Sequence, residues 1–242
     1  MQMTSRIAGT SHRTAAIVSG VSILVMTVAA VIATDLVLGR LVVTEDAEAT
    51  ADNIMASQML FRTGVFSLLV VLLCDVLAAW GLYIFLEPVN RSISLLTAWL
   101  RIVYAAMLGA AIFNLIDVML LVRGEYPAAF GAEQLPDRVM LSLDAFNDTW
   151  SIGLVIFGIH ILLLGYLAFK SGYIPKVFGI LMIIASFGYV ITHTAGLLVV
   201  GHQAIKNIIE WIFIIPQVVG EVGLALWLVV KVVRSQPFRV VQ

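Results

Sequence analysis

Three ionisable residues stand where an ionisable residue is expensive. Asp75, His160 and Glu221 each lie in the middle of a long apolar run, with Gln217 one helical turn from Glu221. A charge at the centre of a bilayer costs at least ~2.5–3.5 kcal/mol on insertion scales, so such groups need a partner or a purpose. Two carboxylates and an imidazole at one depth can bind and pass a proton, hold a cation or small substrate, or ligate a metal. They can also form a hydrogen-bonded cluster that only fixes helix register. A second polar set, Asn114, Asp117, Tyr189 and His193, falls in the outer half of its spans. Ser186 and His193 are seven residues apart, with Tyr189 between them, and so share a helix face. A path from this outer set down to the midplane trio is compatible with that placement.

Several sharper chemistries are excluded. No HExxH, GxSxG or phosphate-loop pattern occurs, and no residue is assigned a catalytic role. A haem between His160 and His193 fails because helical rise separates them by roughly 8–10 Å in depth. If a metal is held, its ligands are His160, Asp75 and Glu221, a thin set for zinc, which prefers more His or Cys donors. The single cysteine, Cys74, excludes an internal disulfide and any multi-cysteine cage. No cofactor is called for.

The elements that carry these residues follow from composition. The 242 residues are 61% hydrophobic and 12% charged, with a mean hydropathy of +1.04. A soluble domain carries about 25% charged residues, so the bilayer is the implied partner. The net charge of −1 leaves no basic excess for nucleic acid. Six runs reach the roughly 20 apolar residues needed to span hydrocarbon: 14–33, 64–86, 95–121, 150–169, 177–200 and 211–230. They are continuously apolar rather than alternating, which argues against barrel strands. The expected fold is all-α: one transmembrane domain over 1–242, a bundle of six helices.

Arg6 and Arg13 precede the first run, which ends in Val31-Ile32-Ala33 as a signal-peptidase site would. Its length of about 20 residues exceeds the roughly 7–15 of a signal peptide, so a retained helix is expected. With six spans both termini share a side. That side holds nine of the fourteen Lys and Arg: Arg6, Arg13, Arg91, Arg101, Lys170, Lys176, Lys231, Arg234 and Arg239. The other has Arg40, Arg62, Arg123, Arg138 and Lys206. The bias predicts cytoplasmic N- and C-termini. Arg101, Lys170, Lys176 and Lys231 are then expected to snorkel to the inner interface, and Trp99, Trp150, Tyr173 and Trp211 to anchor span ends.

Two outer loops are long, about 40–63 and 122–149. In the first, Thr50-Ala51-Asp52-Asn53 reads as a helix start, either a short interfacial helix or an early beginning of the second span. Pro127 and Pro136 are expected to break up the second. All three even-numbered spans run inward, so Asp75, His160 and Glu221 share a layer roughly 16–21 Å deep. Small residues favour an interior placement for them: Ala78 and Ala79 follow Asp75, and Gln217, Glu221 and Ala225 share one face. Pro216, Gly220 and Gly223 make the sixth span pliable, and Gly153, Gly158 and Gly165 surround His160.

Two blocks carry a family resemblance. One is Cys74-Asp75-Val76-Leu77-Ala78-Ala79-Trp80-Gly81-Leu82-Tyr83, then Leu86-Glu87-Pro88-Val89-Asn90-Arg91, running into Leu95-Leu96-Thr97-Ala98-Trp99-Leu100-Arg101. The other is Phe157-Gly158-Ile159-His160, then Leu164-Gly165-Tyr166 and Lys170-Ser171-Gly172-Tyr173-Ile174-Pro175. Over about 50–230 the chain resembles the bacterial integral membrane family labelled domain of unknown function number 4386. The resemblance implies a multi-pass protein of the bacterial cytoplasmic membrane and no particular activity. It includes Asp75 and His160 among its recognisable positions.

The leading functional expectation is a transporter-like or proton-linked membrane protein, with Asp75 and Glu221 binding a proton or cation and His160 relaying or sensing protonation. An intramembrane metal-dependent enzyme and a non-catalytic partner or sensor protein are the alternatives. The ligand is not named by the sequence, and self-association into a homo-oligomer is left open.

Overall fold

The computed structural model describes residues 10–44, 46–123, 132–198 and 203–234, excluding the side chains of 132, 203–211 and 232–234. Arg6, Glu45, Glu125, Pro127, His202 and Arg239 therefore lie outside the described residues, as do the side chains of Lys206, Glu210, Trp211 and Arg234.

Among the described residues there is no strand. The chain forms α1 (His12–Leu41), a short α2 (Ala47–Ala56), α3 (Gln58–Leu86), α4 (Arg91–Val122), α5 (Leu135–Lys170), α6 (Lys176–Leu198) and α7 (Gln203–Arg234). Six of these are long and apolar enough to cross a membrane, the last over Ile212–Lys231. Large apolar side chains such as Phe66, Phe113, Phe187 and Ile215 are exposed, while buried positions include Asp75, Arg101 and His160. Large apolar side chains outside, with charged side chains buried among a mostly apolar core, is the distribution expected of a bundle in hydrocarbon. The chain is a multi-pass membrane protein.

Helix starts are written in side chains that satisfy orphan amides. Ser11 Oγ accepts from Thr14 N at 3.1 Å, and Asp46 Oδ1 from Ala49 N at 2.9 Å. Asn90 Oδ1 accepts from Ile93 N at 3.0 Å. Pro136 does not break a loop, as its sequence suggested. It occupies the first turn of α5, where its missing N–H has no partner to lose. The fourth span thus begins about fifteen residues before its predicted start at 150. The first also runs on past Ala33 to Leu41, widened to π-helical turns over Ile32–Leu38. There Thr34 Oγ1 bonds both Ala30 O and Asp35 Oδ2 at 2.9 Å, which lets the helix carry two polar residues.

Two tight turns mark one end of the bundle, Glu87–Asn90 and Ser171–Pro175. Gly172 takes a positive φ of 74° in the second, and Tyr173 Oη ties the turns together by donating to Phe85 O at 2.9 Å. At the opposite end α2 lies against the extended start of α5. Thr50 Oγ1 bonds both N and O of Val43, at 2.9 and 3.2 Å, and Asn53 Nδ2 donates to Leu41 O at 3.3 Å. The helical reading of 50–53 holds, with the helix beginning earlier because Asp46 caps it. These are called the turn end and the cap end.

Each spanning helix packs on its sequence neighbours, and α1 also packs on α7, closing a ring of six. Small residues set the close approaches. Gly81 of α3 lies on Ala15 and Ser19 of α1, Gly20 of α1 on Ala225 of α7, and Gly165 of α5 on Gly179 of α6.

Candidate functional site

The ring brings charged groups to one level. Asp75 lies eleven residues before the end of α3, Arg101 ten after the start of α4, His160 ten before the end of α5 and Glu221 ten before Lys231. At about 1.5 Å per residue all four sit roughly 15–17 Å from the turn end. The expected shared layer exists, but the centre of it is a residue expected elsewhere.

Arg101 does not snorkel. It is 1% exposed and donates to Asp75 Oδ1 from Nε at 2.9 Å and from Nη2 at 2.7 Å. Nη1 meets His160 Nε2 at 3.2 Å and Nη2 also points to Met26 Sδ at 3.3 Å. The physical reason is length: α4 begins at Arg91, four residues before the predicted 95, so Arg101 is too deep to reach the interface. A guanidinium that finds a carboxylate there avoids the cost of an unpaired charge in hydrocarbon. Lys170, Lys176 and Lys231 are exposed near the turn end, as expected.

The partners of His160 fix its protonation state. Nδ1 lies 2.8 Å from Thr97 O, a carbonyl that only accepts, so Nδ1 carries the hydrogen. Nε2 faces a guanidinium that only donates, so Nε2 accepts. The ring is the neutral Nδ1–H tautomer with both nitrogens in use. A proton added at Nε2 would remove an acceptor from Arg101 and set two cations side by side. Both ring nitrogens of His160 thus have partners within the cluster.

Both donors from Arg101 to Asp75 fall on Oδ1, and Asp75 Oδ2 is buried with no hydrogen-bond partner among the described residues. Glu221 belongs to the same layer but not to this cluster. Its Oε1 accepts from Tyr189 Oη at 2.9 Å. Gln217 is half-buried one turn toward the cap end.

An aromatic layer lies next. Tyr104, Phe157 and Tyr189 are each thirteen residues from the turn end of their helices, about 20 Å at 1.5 Å per residue. Phe157 is 4.6 Å from Tyr104 and 5.3 Å from Tyr189 between ring centroids. By helical rise these rings lie at a level between the midplane groups and His193. The polar set expected in the outer half divides around this layer. Tyr189 reaches down to Glu221, and His193 Nδ1 meets Ser151 Oγ at 3.4 Å. Asn114 bonds Ala111 O of its own helix, and Asp117 is exposed on α4; neither joins the site. Trp150 is no span-end anchor either: its Nε1 donates to Tyr104 Oη at 3.3 Å inside the bundle.

Among the described residues, no three His, Cys, Asp or Glu side chains gather to hold a metal ion. Arg101, a cation, takes the position between Asp75 and His160 that the metal reading required.

The residues missed from sequence are Arg101, Met26, Thr97 and Phe157. Arg101 had a signal: two midspan carboxylates demand a cation, and it lies at their depth. All six spanning helices contribute to the site, through Met26, Asp75, Arg101, His160, Tyr189 and Glu221 among others.

No solved structure matches the chain. An uncharacterized protein of Archaeoglobus fulgidus is 34% identical over 167 residues, which are 69% of this chain and 82% of that protein. Residues 18–231 match the family described as Domain of unknown function (DUF4386), a stretch that begins in α1, ends in α7 and contains every residue of the buried cluster. The chain belongs to that family.

Proposed function

We propose that the chain is a proton-linked, transporter-like membrane protein in which Glu221 carries the exchangeable proton. The observation that supports this most is the charge balance of the midplane. Two carboxylates, Asp75 and Glu221, share the layer with one guanidinium, and that guanidinium is engaged by Asp75, His160 and Met26. Asp75–Arg101 is neutral as a pair. Glu221 has a neutral tyrosine as its partner, so the layer reaches zero net charge when Glu221 takes one proton. Low-dielectric surroundings favour that state, while Pro216, Gly220 and Gly223 beside Glu221 give α7 the means to change shape. Asp75, Arg101 and His160 then form the fixed frame, and Glu221 with Tyr189 the working pair.

Infrared difference spectra of the reconstituted protein between alkaline and acidic buffer test this. The expected spectrum gains a protonated-carboxyl band that is lost in Glu221→Gln, and the same variant abolishes pH-driven proton uptake into vesicles while its elution profile stays unchanged. An unaltered band and unaltered uptake in Glu221→Gln would sink the reading.

The turn end is proposed to be cytoplasmic, since Lys and Arg concentrate there, in one transmembrane domain of the cell's inner membrane. In a Cys74→Ser background, Asn147→Cys should react with an impermeant maleimide on intact bacterial cells. Ser92→Cys, exposed at the start of α4, should react only after permeabilisation. The reverse pattern would invert the topology.

A further inference from the structure

The aromatic layer has one ring at its centre. Phe157 is 4% exposed and meets four partners: Tyr104 at 4.6 Å, Tyr189 at 5.3 Å, His160 at 5.4 Å, and the Arg101 guanidinium carbon 5.4 Å over its face. Its backbone is clamped as well. A Cβ on the adjacent Gly158 would meet Tyr189 Cβ at 3.0 Å and Ser186 O at 3.2 Å, so α5 and α6 have no slack beside the ring.

Polar groups lie on both sides of it. Toward the turn end are Arg101, His160 and Glu221; toward the cap end are His193 and Ser151, seventeen and nineteen residues from the turn ends of their helices. Tyr189 bridges the two levels. Its hydroxyl donates to Glu221, and its ring lies at 18° to that of His193 with centroids 6.4 Å apart. A proton moves along hydrogen-bonded groups, and an apolar ring packed among them interrupts such a chain, as hydrophobic constrictions do in channels.

We infer that Phe157 is the plug that insulates Glu221 from the cap-end face, and that its displacement opens a route through Tyr189, His193 and Ser151. The inference rests on Glu221 as the proton carrier and adds where its proton is held back. Arg101 contributes to the plug: its cation holds the ring face, which ties the plug to the ion pair beneath it.

Passive proton permeability of vesicles holding the full-length protein tests this, read by a trapped pH dye after a pH jump with the membrane potential clamped. Phe157→Ala is expected to raise the leak by about tenfold or more, as removing a hydrophobic constriction should. Adding Glu221→Gln or His193→Ala should return the leak to the wild-type level. Phe157→Leu, which keeps most of the volume, should leak less than Phe157→Ala and more than wild type. A folded Phe157→Ala protein as tight as wild type would overturn the plug. So would a leak that Glu221→Gln leaves untouched, since the route would then bypass Glu221. Where Phe157→Ala does not fold, Phe157→Leu decides by the same criterion. The infrared band of Glu221 in the otherwise native protein reports the carrier separately, so a tight Phe157→Ala with that band intact refutes the plug alone.

Discussion

Arg101→Met is expected to cost about 3–5 kcal/mol of stability, the range for removing one partner of a buried ion pair. The loss comes less from the missing contact than from what stays behind. Asp75, 1% exposed, would lose the only hydrogen-bond donors it has among the described residues. His160 Nε2 would also lose its donor, while the methionine fills much of the volume, so cavity formation adds little. Asp75→Asn should cost less, because the guanidinium keeps a carbonyl acceptor and His160. The decisive variant is the double substitution Asp75→Leu with Arg101→Met. It removes both charges together and should recover most of the loss, since buried pairs replaced by well-packed apolar residues are often neutral or stabilising. Thermal unfolding in detergent, followed by loss of the monodisperse elution peak, measures all three. Equal damage from the double and the Arg101 single variant would show that Asp75 is not what Arg101 neutralises.

The sequence made the architecture legible because a bilayer permits few solutions. Twenty apolar residues without water must be helical, and six such runs were readable one by one. Helix ends were less readable. Caps such as Asn90 and Asp46 extend helices beyond their apolar windows, and a first-turn proline looks like a loop breaker until its position is known. That shift of four residues at Arg91 is what hid Arg101: measured from 95, its side chain seemed close enough to the interface to snorkel. The shared depth of Asp75, His160 and Glu221 was readable from helical rise alone. Which of them touch was not, since contact depends on the rotation of each helix within the ring. Rotation placed Glu221 on Tyr189 and gave Asp75 and His160 to Arg101. It left Asp117 on the outside of α4, although its sequence position matched an interior group equally well. Phe157 was invisible for a simpler reason. In an apolar helix one phenylalanine looks like any other, and only its neighbours distinguish a plug from packing.

Glycine variants at the helix crossings are expected to give the second large effect, Gly81→Ala first among them. Gly153, Gly158 and Gly165 stand out in the sequence because they surround His160, but Gly81 serves a different need. It lets α3 lie against α1 so closely that a Cβ would collide with Ala15 O and Ser19 Oγ. Ser19 cannot easily turn away, because its hydroxyl donates to that same Ala15 carbonyl at 2.9 Å in a buried site. The helices must therefore separate, and overpacking of this kind costs about 1–3 kcal/mol. Gly165→Ala and Gly179→Ala should behave alike on the α5–α6 crossing, where the added methyl meets backbone at 2.8 Å in each case. The two crossings differ in what they carry. α1 brings only Met26 to the buried cluster, whereas α5 and α6 bring His160, Phe157 and Tyr189. Gly81→Ala should accordingly lower the melting temperature and leave the Glu221 infrared band in place. Gly165→Ala should lower it and also shift that band, because moving α6 off α5 moves Tyr189 against its carboxylate. A Gly81→Ala protein as stable as wild type would mean that α1 and α3 do not make this close crossing in the membrane.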